Sequence, residues 1–488
     1  MSIRPAKLDK KALSKFDQKL FNTDVEVSGV SINAGEVKSG DLFIALPGAK
    51  THGMNFINQA ISNGAVAVLS DRKIDCSIPA FIDQTPRDLV GPISVWLYEK
   101  PFSKLVAVGV TGTNGKTTTC NLVKQIWDLN DINSGLIGTL GVEIGTKKIA
   151  GVRTTPEADE LQALAAVMVE QGSTHLAMEV SSIAIDQSRV NGAKYKVAAF
   201  SNLTQDHLDY HKSMDEYFNA KAKLFTSEYA QTAVINIDDA YGKKLFEISK
   251  ITTKSVSRND KNADWYYRKI EPLVDGYKVE ISDKNGQVIT GNFPLIGEHN
   301  LDNLLLAIAS VSICGLTNAQ ISNAINNLKS VPGRLEIISA GQSFSALVDY
   351  AHTPDAVSRV LKSVRSFTSG RVIGVLGCGG DRDKSKRSPM GQALFTGSDL
   401  AIFTSDNPRN EKAGEILNEM TEDIALAEKG FVFVDRKEAI DFAVKMAKSG
   451  DCIMLMGKGH ESGQEINGVI TPFDDRIELL NSIRQATK

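Results

Sequence analysis

Residues 105–118 have the sequence Leu-Val-Ala-Val-Gly-Val-Thr-Gly-Thr-Asn-Gly-Lys-Thr-Thr. The apolar run 105–110 is typical of a strand that is buried on both faces of a sheet, and 117–128 is predicted to form a helix. Glycines between a strand and a helix let several backbone N–H groups face one anion, and the helix N-terminus adds partial positive charge. The stretch therefore predicts a phosphate-binding loop in an α/β sheet.

In such a loop, Lys116 neutralises the outer phosphates of a nucleotide and the Thr117 hydroxyl holds Mg2+. The spacing departs from the usual pattern, because the position five before Gly115 is Val110 rather than glycine. A purely structural strand-to-helix turn is the alternative. The loop alone does not separate an ATPase, a kinase and a ligase. The residues predicted to bind ATP here are Gly112, Thr113, Asn114, Gly115, Lys116, Thr117 and Thr118.

Length and composition set the broad class. A chain of 488 residues predicts two or three domains. The net charge of -3 gives no reason to expect nucleic acid or a membrane surface as a partner. Five dispersed cysteines argue against a disulfide framework. Because no apolar run suits a signal peptide or a membrane span, we expect a cytoplasmic protein, and we expect a monomer.

Three segments follow one another along the chain. Residues 1–102 predict a small α/β unit, 103–332 a central domain with a parallel, doubly wound sheet, and 333–488 a Rossmann-like α/β domain. In the central segment, Thr155-Pro156-Glu157 resembles a helix cap with proline at the first helical position. Alternating strands and helices place the loops of both larger sheets at the carboxyl ends of their strands, where α/β proteins bind ligands.

Polar side chains after the next strands suggest a metal site near the phosphate loop. Glu179 ends the apolar run 175–180 and is a candidate ligand of Mg2+. His207 lies among carboxylates, and taken alone it is more often a hydrogen-bonded turn residue. Lys221 lies on a predicted helix, where a solvated charged face is the alternative.

Together these stretches resemble the Mur ligase family: Gly-Thr-Asn-Gly-Lys-Thr-Thr at 112–118, Glu-Val-Ser-Ser at 179–182, Asn-Leu-x-x-Asp-His-Leu-Asp-Tyr-His at 202–211 and Ala-Lys at 220–221. The resemblance implies an enzyme that adds an amino acid to the peptidoglycan precursor. It further implies that Lys221 is carbamylated to N6-carboxylysine and, with Glu179, His207 and Thr117, places Mg2+.

The resemblance extends to the rest of the nucleotide site. Gly297-Glu298-His299-Asn300-Leu301-Asp302-Asn303 resembles the motif on the adenine side, which implies base contacts from His299, Asn300 and Asn303. Arg334 after Pro332-Gly333 is expected to approach the phosphates, and Asp349 the ribose or a metal-bound water. A capped helix start and a strand ending in a turn are the alternatives.

Three loops that follow strands of the C-terminal segment are predicted to determine which amino acid is added. Asp406-Asn407-Pro408-Arg409 resembles the signature of the branch that adds meso-diaminopimelate. This amino acid is similar to lysine with an extra carboxylate, which suits a bidentate arginine such as Arg409. The resemblance implies further contacts from Arg382, Gly457 and Glu461. For the charge run 381–387, a solvated face is the alternative.

The uridine nucleotide is expected in the N-terminal domain, where the sequence departs from the family. Asn33-Ala34-Gly35 stands where relatives usually have Asp-Ser-Arg, and Ile183 stands where many have histidine. The substrate-side positions that the resemblance implies are Ile32, Ala34, Arg153, Thr154, Thr155, Ser181, Gln187 and Arg189.

The expected reaction uses ATP to phosphorylate the terminal carboxylate of UDP-N-acetylmuramoyl-L-alanyl-D-glutamate, and the amine of diaminopimelate attacks the acyl phosphate. Lys116, Glu179, His207, Lys221 and Arg334 are the predicted catalytic residues. A lysine-adding ligase, a folylpolyglutamate synthase-like ligase and a nucleotide-binding protein without catalysis are the alternatives.

Overall fold

The computed structural model describes residues 3–48, 51–151, 153–273, 276–427 and 429–486. Three main sheets follow one another along the chain, with four, eleven and six strands. Helices cover their faces, and the cores lie between helices and sheets. No helix among the described residues is long and apolar enough to cross a membrane.

The N-terminal sheet has four parallel strands, and a two-stranded antiparallel ribbon precedes it. Its apolar core continues into Ala158 and Ala163, which belong to a helix of the central region. The N-terminal unit is therefore packed against the central one. Its strands are Lys11–Ala12, Glu26–Val27, Gly29–Ser31, Asp41–Ala45, Ala65–Ser70 and Ala80–Ile82, and its helices are Leu13–Lys15, Ala34–Glu36, Gly53–Phe56, Ile57–Ser62, Pro86–Leu97 and Pro101–Lys104.

The central sheet places Val106–Thr111 between His175–Glu179 and Tyr195–Phe200, in parallel with both. This position explains the uninterrupted apolar run, because both faces of the strand are covered by helices. In spatial order the strands are Lys147–Ile149, Gly141–Ile144, Ser134–Gly138, His175–Glu179, Val106–Thr111, Tyr195–Phe200, Ala230–Asn236, Thr252–Ser257, Trp265–Leu273, Gly276–Asp283 and Val288–Phe293.

Two separate cores lie on the two faces of this sheet. Lys116–Asp128 and Glu298–Ile313 pack on one face, and Ala158–Glu170 packs on the other. The sheet is therefore doubly wound. The other helices of this region are Ser182–Asp186, Leu208–His211, Met214–Ala222, Ala240–Ile248 and Asn318–Ile325.

The C-terminal sheet has five parallel strands and one antiparallel edge strand. In spatial order its strands are Glu336–Ile337, Ser345–Asp349, Cys452–Met456, Val372–Leu376, Leu400–Thr404 and Gly430–Phe433, and a hairpin is formed by Gly463–Ile466 and Val469–Pro472. Its helices are Pro354–Phe367, Lys384–Lys386, Arg387–Gly397, Ala413–Thr421, Arg436–Met446 and Asp475–Ala486.

The predicted α/β class, with a central P-loop sheet and a Rossmann-like C-terminal sheet, is confirmed. Antiparallel strands extend both edges of the central sheet, which the sequence did not predict. The cap at Thr155 is wrong, because the helix begins at Ala158 with Glu157 as its N-cap. The Thr155 hydroxyl instead donates to the Glu179 carbonyl at 2.9 Å. The domain boundaries near 102 and 332 stay predictions.

Candidate active site

The phosphate loop depends on two glycines with positive φ. Gly112 has φ 147° and Gly115 has φ 87°. A Cβ atom at Gly115 would lie 2.2 Å from Asn303 Oδ1, so a larger residue would force the Asn303 side chain to move and would be strained at this positive φ. The Lys116 ammonium donates to the carbonyls of Gly112 at 2.9 Å and Thr113 at 2.7 Å. The Lys116 side chain therefore folds back onto its own loop, and its ammonium lies where the phosphates of a nucleotide would bind.

A second loop, 201–204, supports the first. The Ser201 hydroxyl donates to the Asn114 carbonyl at 2.6 Å, and Asn202 Oδ1 accepts from the Asn114 N–H at 2.9 Å. Thr113 Oγ1 donates to the Thr204 carbonyl at 3.1 Å. Ser201, Asn202 and Thr204 were not among the predicted site residues. Asn202 and Thr204 lie within the family motif at 202–211, but their contact with the phosphate loop follows from the neighbouring positions of two strands.

Glu179 lies at the centre of a hydrogen-bonded group that joins two sheets. Its Oε2 accepts from Thr117 Oγ1 at 3.0 Å, and its Oε1 accepts from the Thr139 N–H at 2.8 Å. Arg334 Nη2 in turn donates to Thr117 Oγ1 at 3.0 Å. The structure therefore brings the predicted residues Thr117, Glu179 and Arg334 together. Thr139 was missed, because it lies in a plain strand connection.

Lys221 is a buried lysine that faces the same loop. Its side chain is inaccessible, its ammonium donates to the Gly112 carbonyl at 2.8 Å, and it lies 4.5 Å from the centre of the Tyr217 ring. Burial, with a further contribution from the charge of Lys116, lowers the pKa of Lys221 well below its ordinary value. The alternative of a solvated charged face is therefore excluded for this residue.

His207 and Asp206 line the same cavity. His207 has φ 54°, and burial lowers its pKa. Burial would raise the pKa of Asp206, but the charges of His207, His352 and Lys386 outweigh it and lower that pKa to about 2. Asp206 lies 3.8 Å from both His352 Nε2 and Lys386 Nζ, so it connects the central and C-terminal sheets. The sequence did not single it out.

Thr117 and Glu179 supply the hard oxygen atoms that Mg2+ prefers. Among the described residues, no group of three or more histidine, cysteine, aspartate or glutamate side chains is arranged to hold a metal ion. The predicted set contains only Glu179 and His207 of these types, with Thr117 and Lys221 added. The residues present fit a magnesium ion that takes its remaining ligands from phosphate and water.

The adenine-side residues divide into two groups. His299 and Asn303 line the cavity, and burial lowers the pKa of His299 to about 4, so its ring is neutral near pH 7. Asn300 is not among the residues that line the cavity, and its Nδ2 donates to the carbonyl of Ile296, just before the helix, at 2.8 Å. Asp349 lines the cavity and accepts from the N–H groups of Leu335 and Ala351, each at 2.8 Å.

The loops predicted to bind the amino acid meet at the edge of the C-terminal sheet. Asn407 Nδ2 donates to Glu461 Oε2 at 2.7 Å. The fully buried Lys458 donates to Asn407 Oδ1 and Glu461 Oε2, both at 3.2 Å, and to the Gly463 carbonyl at 2.7 Å. Lys458, which was not predicted as a site residue, therefore ties the two loops to the following hairpin.

A buried ion pair contacts the strand ends from which two of these loops begin. Arg436 and Asp475 are both inaccessible, and two hydrogen bonds of 2.7 and 2.6 Å join them. The remaining donors of Arg436 reach the carbonyls of Ser405 at 3.1 Å and Met456 at 2.9 Å, where the two loops begin. Neither residue lies in a sequence motif that would have revealed this role.

Arg382 and Arg409 converge on the turn at Gly379-Gly380. A Cβ atom at Gly379 would lie 3.0 Å from Arg409 Nη1 and 3.8 Å from Arg382 Cγ. Asp406 Oδ2 would lie 2.6 Å from a Cβ atom at Gly457. Pro408 is buried between these loops. The six residues Arg382, Asp406, Asn407, Arg409, Gly457 and Glu461 thus lie near one another at this edge of the sheet.

The charge run 381–387 ends inside the protein. Arg387 is 1% exposed and pairs with Glu411 at 2.8 Å and Glu419 at 2.7 Å. A solvated face is therefore the wrong interpretation for that end of the run. The arginine fixes the turn on which Arg382 lies.

The substrate-side arginines surround one carboxylate. Glu157 lies 3.0 Å from Arg189, 3.9 Å from Arg153 and 3.1 Å from Arg87, which comes from the N-terminal unit. Gln187 accepts from Arg189 at 2.6 Å. The guanidinium groups of three arginines therefore meet at one point between the N-terminal and central units, where they could also contact an anionic substrate. Arg87 was missed because its helix has no motif.

Thr154, Thr155 and Ser181 connect this arginine cluster to the phosphate loop. Thr154 and Ser181 line the nucleotide cavity. Thr155 Oγ1 accepts from the Ser181 N–H at 3.1 Å, which fixes the turn after Glu179. The predicted substrate and nucleotide positions are therefore contiguous.

In the N-terminal unit, the backbone groups at the predicted uridine positions have internal partners. The Ile32 N–H donates to Asp159 Oδ2 at 3.1 Å, and the Ala34 carbonyl accepts from Asn63 Nδ2 at 2.8 Å. Asn33 caps the following turn by accepting from the Gly35 N–H at 3.0 Å. Asn33 thus has a local structural role in place of the family's aspartate.

Comparison with known proteins supports the same assignment along the whole chain. The Mur ligase middle domain matches residues 110–311, the Mur ligase glutamate ligase domain matches 333–459, and the Mur ligase family catalytic domain matches 26–87. A UDP-N-acetylmuramoyl-L-alanyl-D-glutamate--2,6-diaminopimelate ligase from Streptomyces avermitilis is 42% identical over 95% of this chain and 93% of its own length. The ligase of that name from Aquifex aeolicus is 39% identical over 92% of each chain.

Solved structures show the same fold. A ligase structure with that same name aligns with a TM-score of 0.68 at 30% identity, covering 98% of this chain and 100% of the other. The MurF ligase of Thermotoga maritima in complex with ADP aligns with a TM-score of 0.65 at 18% identity, covering 94% and 97%. On its motifs, its architecture and these similarities, the chain belongs to the Mur ligase family.

Proposed function

We propose that this protein is an ATP-dependent ligase that adds meso-diaminopimelate to UDP-N-acetylmuramoyl-L-alanyl-D-glutamate in peptidoglycan precursor synthesis. The observation that carries the proposal is the pocket in which Asn407, Arg409 and Glu461 meet at one sheet edge, while Arg334 of the same domain reaches the phosphate loop. Eight relatives with this activity in their names are 38–42% identical over most of the chain.

The phosphate loop supports ATP as the energy source. Related folds have been solved with ADP, among them the MurF ligase of Thermotoga maritima and a folylpolyglutamate synthase of Mycobacterium tuberculosis. In this chain the backbone of 112–118 would hold the phosphates, with His299 and Asn303 on the base side. Asn300 remains a predicted contact, although its side chain is engaged with the Ile296 carbonyl.

The reaction begins with transfer of the γ-phosphoryl group to the terminal carboxylate of the uridine substrate. Lys116 and Arg334 stabilise negative charge on the transferring group. The amine of diaminopimelate then forms the new C–N bond, and the phosphate leaves with the oxygen that belonged to the carboxylate. The amine gives up its proton as the amide forms.

Bound Mg2+ would neutralise phosphate charge, with Thr117, Glu179, His207 and carbamylated Lys221 as the proposed residues around it. The lowered pKa of Lys221 supports carbamylation, because only the neutral amine attacks carbon dioxide. Carbamylation would convert a buried cation beside Lys116 into an anion. It would also create the hard oxygen ligand that a lysine lacks.

The arginine cluster is proposed to hold the anionic part of the uridine substrate. Arg153, Thr154, Thr155, Ser181, Gln187 and Arg189 are contiguous with the nucleotide cavity, which supports a position for the substrate carboxylate beside the phosphate loop. Ile32 and Ala34 stay predicted contacts of the uridine moiety. We also propose that the enzyme acts in the cytoplasm as a monomer.

A lysine-adding ligase and a folylpolyglutamate synthase are not favoured. The folylpolyglutamate synthase of Mycobacterium tuberculosis is 18% identical and covers 76% of this chain. Lysine has no second carboxylate for Arg409. The experiment is phosphate release with ATP, Mg2+ and the uridine dipeptide, with meso-diaminopimelate or lysine added. Release that depends on meso-diaminopimelate supports the proposal, whereas preference for lysine or no release with either amino acid would reject it.

A further inference from the structure

Arg409 is held at both its backbone and its side chain. Its N–H donates to the Glu465 carbonyl at 3.0 Å, and its carbonyl accepts from the Asn467 N–H at 2.7 Å. Its Nη1 donates to the Gly380 carbonyl at 2.7 Å. A guanidinium with Nη1 engaged in this way offers a carboxylate the edge formed by Nε and Nη2 for two parallel hydrogen bonds.

Glu465 faces that same edge. Its Oε2 lies 3.3 Å from Arg409 Nε, and the two side chains are 36% and 21% exposed. Two hydrogen bonds hold the backbone of Glu465 in place. Its N–H donates to Asn407 Oδ1 at 3.0 Å, and its carbonyl accepts from the Arg409 N–H. The hairpin strand Gly463–Ile466 therefore fixes an internal carboxylate beside the arginine.

We propose that Glu465 is a specificity-determining residue, because it is a counter-ion of Arg409 that a ligand carboxylate must displace. The inference rests on the proposed role of Arg409 in binding diaminopimelate. Displacement costs part of the affinity for diaminopimelate. It also lessens discrimination against lysine, since Arg409 stays paired with Glu465 when the bound amino acid brings no second carboxylate.

The size of the effect follows from the exposure of the pair. Partly exposed ion pairs change an equilibrium constant by about two- to fivefold. Removing the charge of Glu465 should therefore lower KM for diaminopimelate by about that factor. It should lower kcat/KM for lysine by a similar factor, because Arg409 then has no anionic partner in the lysine complex. The ratio of the two kcat/KM values should rise by about tenfold.

The test uses the full-length enzyme with Glu465→Gln, which keeps the size of the side chain. Glu415→Gln is the matched control, because Glu415 is an exposed glutamate that pairs with Lys412 at 3.0 Å on another helix. KM and kcat for diaminopimelate and for lysine are measured for both variants, and equal unfolding temperatures confirm that both are folded. A raised diaminopimelate-to-lysine ratio in Glu465→Gln alone is the expected result.

Two results would overturn the inference. A higher KM for diaminopimelate in Glu465→Gln would mean that Glu465 binds the ligand's ammonium group. An unchanged ratio would mean that the pair does not influence selection. In an Arg409→Met background, Glu465→Gln should have no further effect, because the two residues act through one interaction.

Failure of the inference can be told apart from failure of the proposed function. An unaltered enzyme that does not use diaminopimelate rejects the function. The role of Glu465 alone is rejected by a different set of results. In that case the unaltered enzyme uses diaminopimelate and Arg409→Met weakens diaminopimelate binding, but Glu465→Gln leaves the diaminopimelate-to-lysine ratio of kcat/KM unchanged.

Discussion

The phosphate-loop cavity and the proposed amino-acid pocket both lie at the carboxyl ends of parallel strands, but they are built differently. Backbone groups of one short segment, 112–118, form the phosphate-binding part of the first, with Lys116 hydrogen-bonded to carbonyls of its own loop. Side chains from separate loops form the second, and Lys458 and the Arg436–Asp475 pair hold them together. The phosphate loop is local in sequence, whereas the second group of side chains is assembled from segments that are distant along the chain.

This difference has consequences for how each site fails. In the phosphate loop, we expect loss of the Lys116 side chain to remove chemistry and to leave the fold intact. In the amino-acid pocket, the supporting residues are buried charges whose loss releases several loops at once. We therefore expect variants of the first site to affect turnover, and variants of the second to affect stability and amino-acid binding.

Lys116→Ala should give the largest effect on activity. Loss of one positive group at the transferring phosphoryl group costs roughly 10²–10³-fold or more in kcat. Phosphate release is the measurement, with the exposed Lys250→Ala as the control. Near-normal turnover in Lys116→Ala would contradict the role of the loop.

Asp475→Asn should destabilise the protein by roughly 3–5 kcal/mol, because it leaves Arg436 as an uncompensated buried charge. Urea unfolding measures this loss. The exposed Asp215→Asn, on a central helix, is the control and should change little. A change below about 1 kcal/mol for Asp475→Asn would show that the pair does not support the pocket.

Arg409→Lys should raise KM for diaminopimelate by roughly 10- to 100-fold, because an ammonium cannot make the two parallel hydrogen bonds of a guanidinium. KM for ATP should change little, since the phosphate loop is a separate structure. Initial rates at varied concentrations of each substrate measure this. The control is Arg72→Lys, which alters an exposed arginine. An equal rise in KM for diaminopimelate and KM for ATP in Arg409→Lys would mean that the two sites are not independent.

The smallest effect concerns pH. Burial lowers the pKa of His299 from 6.5 to about 4. The unfolded chain takes up a proton below pH 6.5 and the folded chain does not until about pH 4, so stability should fall as pH decreases through this window. His299→Gln should reduce the proton uptake on unfolding by up to one proton. Urea unfolding between pH 4 and 7.5 measures this, and an unchanged slope would contradict it.

The same contrast explains how much the sequence could predict. The phosphate loop and the strand before it were recognisable because glycines, Lys116 and the apolar run lie within 14 consecutive residues. Arg409 and Glu461 were found through their resemblance to family motifs. Asp206, Lys458 and Arg87 were not assigned, because they also contact Lys386, Asn407 and Glu157, which are distant along the chain and are brought close only by the packing of the sheets.

The central claim is that the phosphate loop activates a carboxylate that the amino acid in the other pocket then attacks. The most direct test labels the terminal carboxylate of the uridine dipeptide with oxygen-18 and follows the label during turnover with ATP and meso-diaminopimelate. We predict that the released phosphate contains one labelled oxygen per amide formed. Amide formation with unlabelled phosphate would contradict the account.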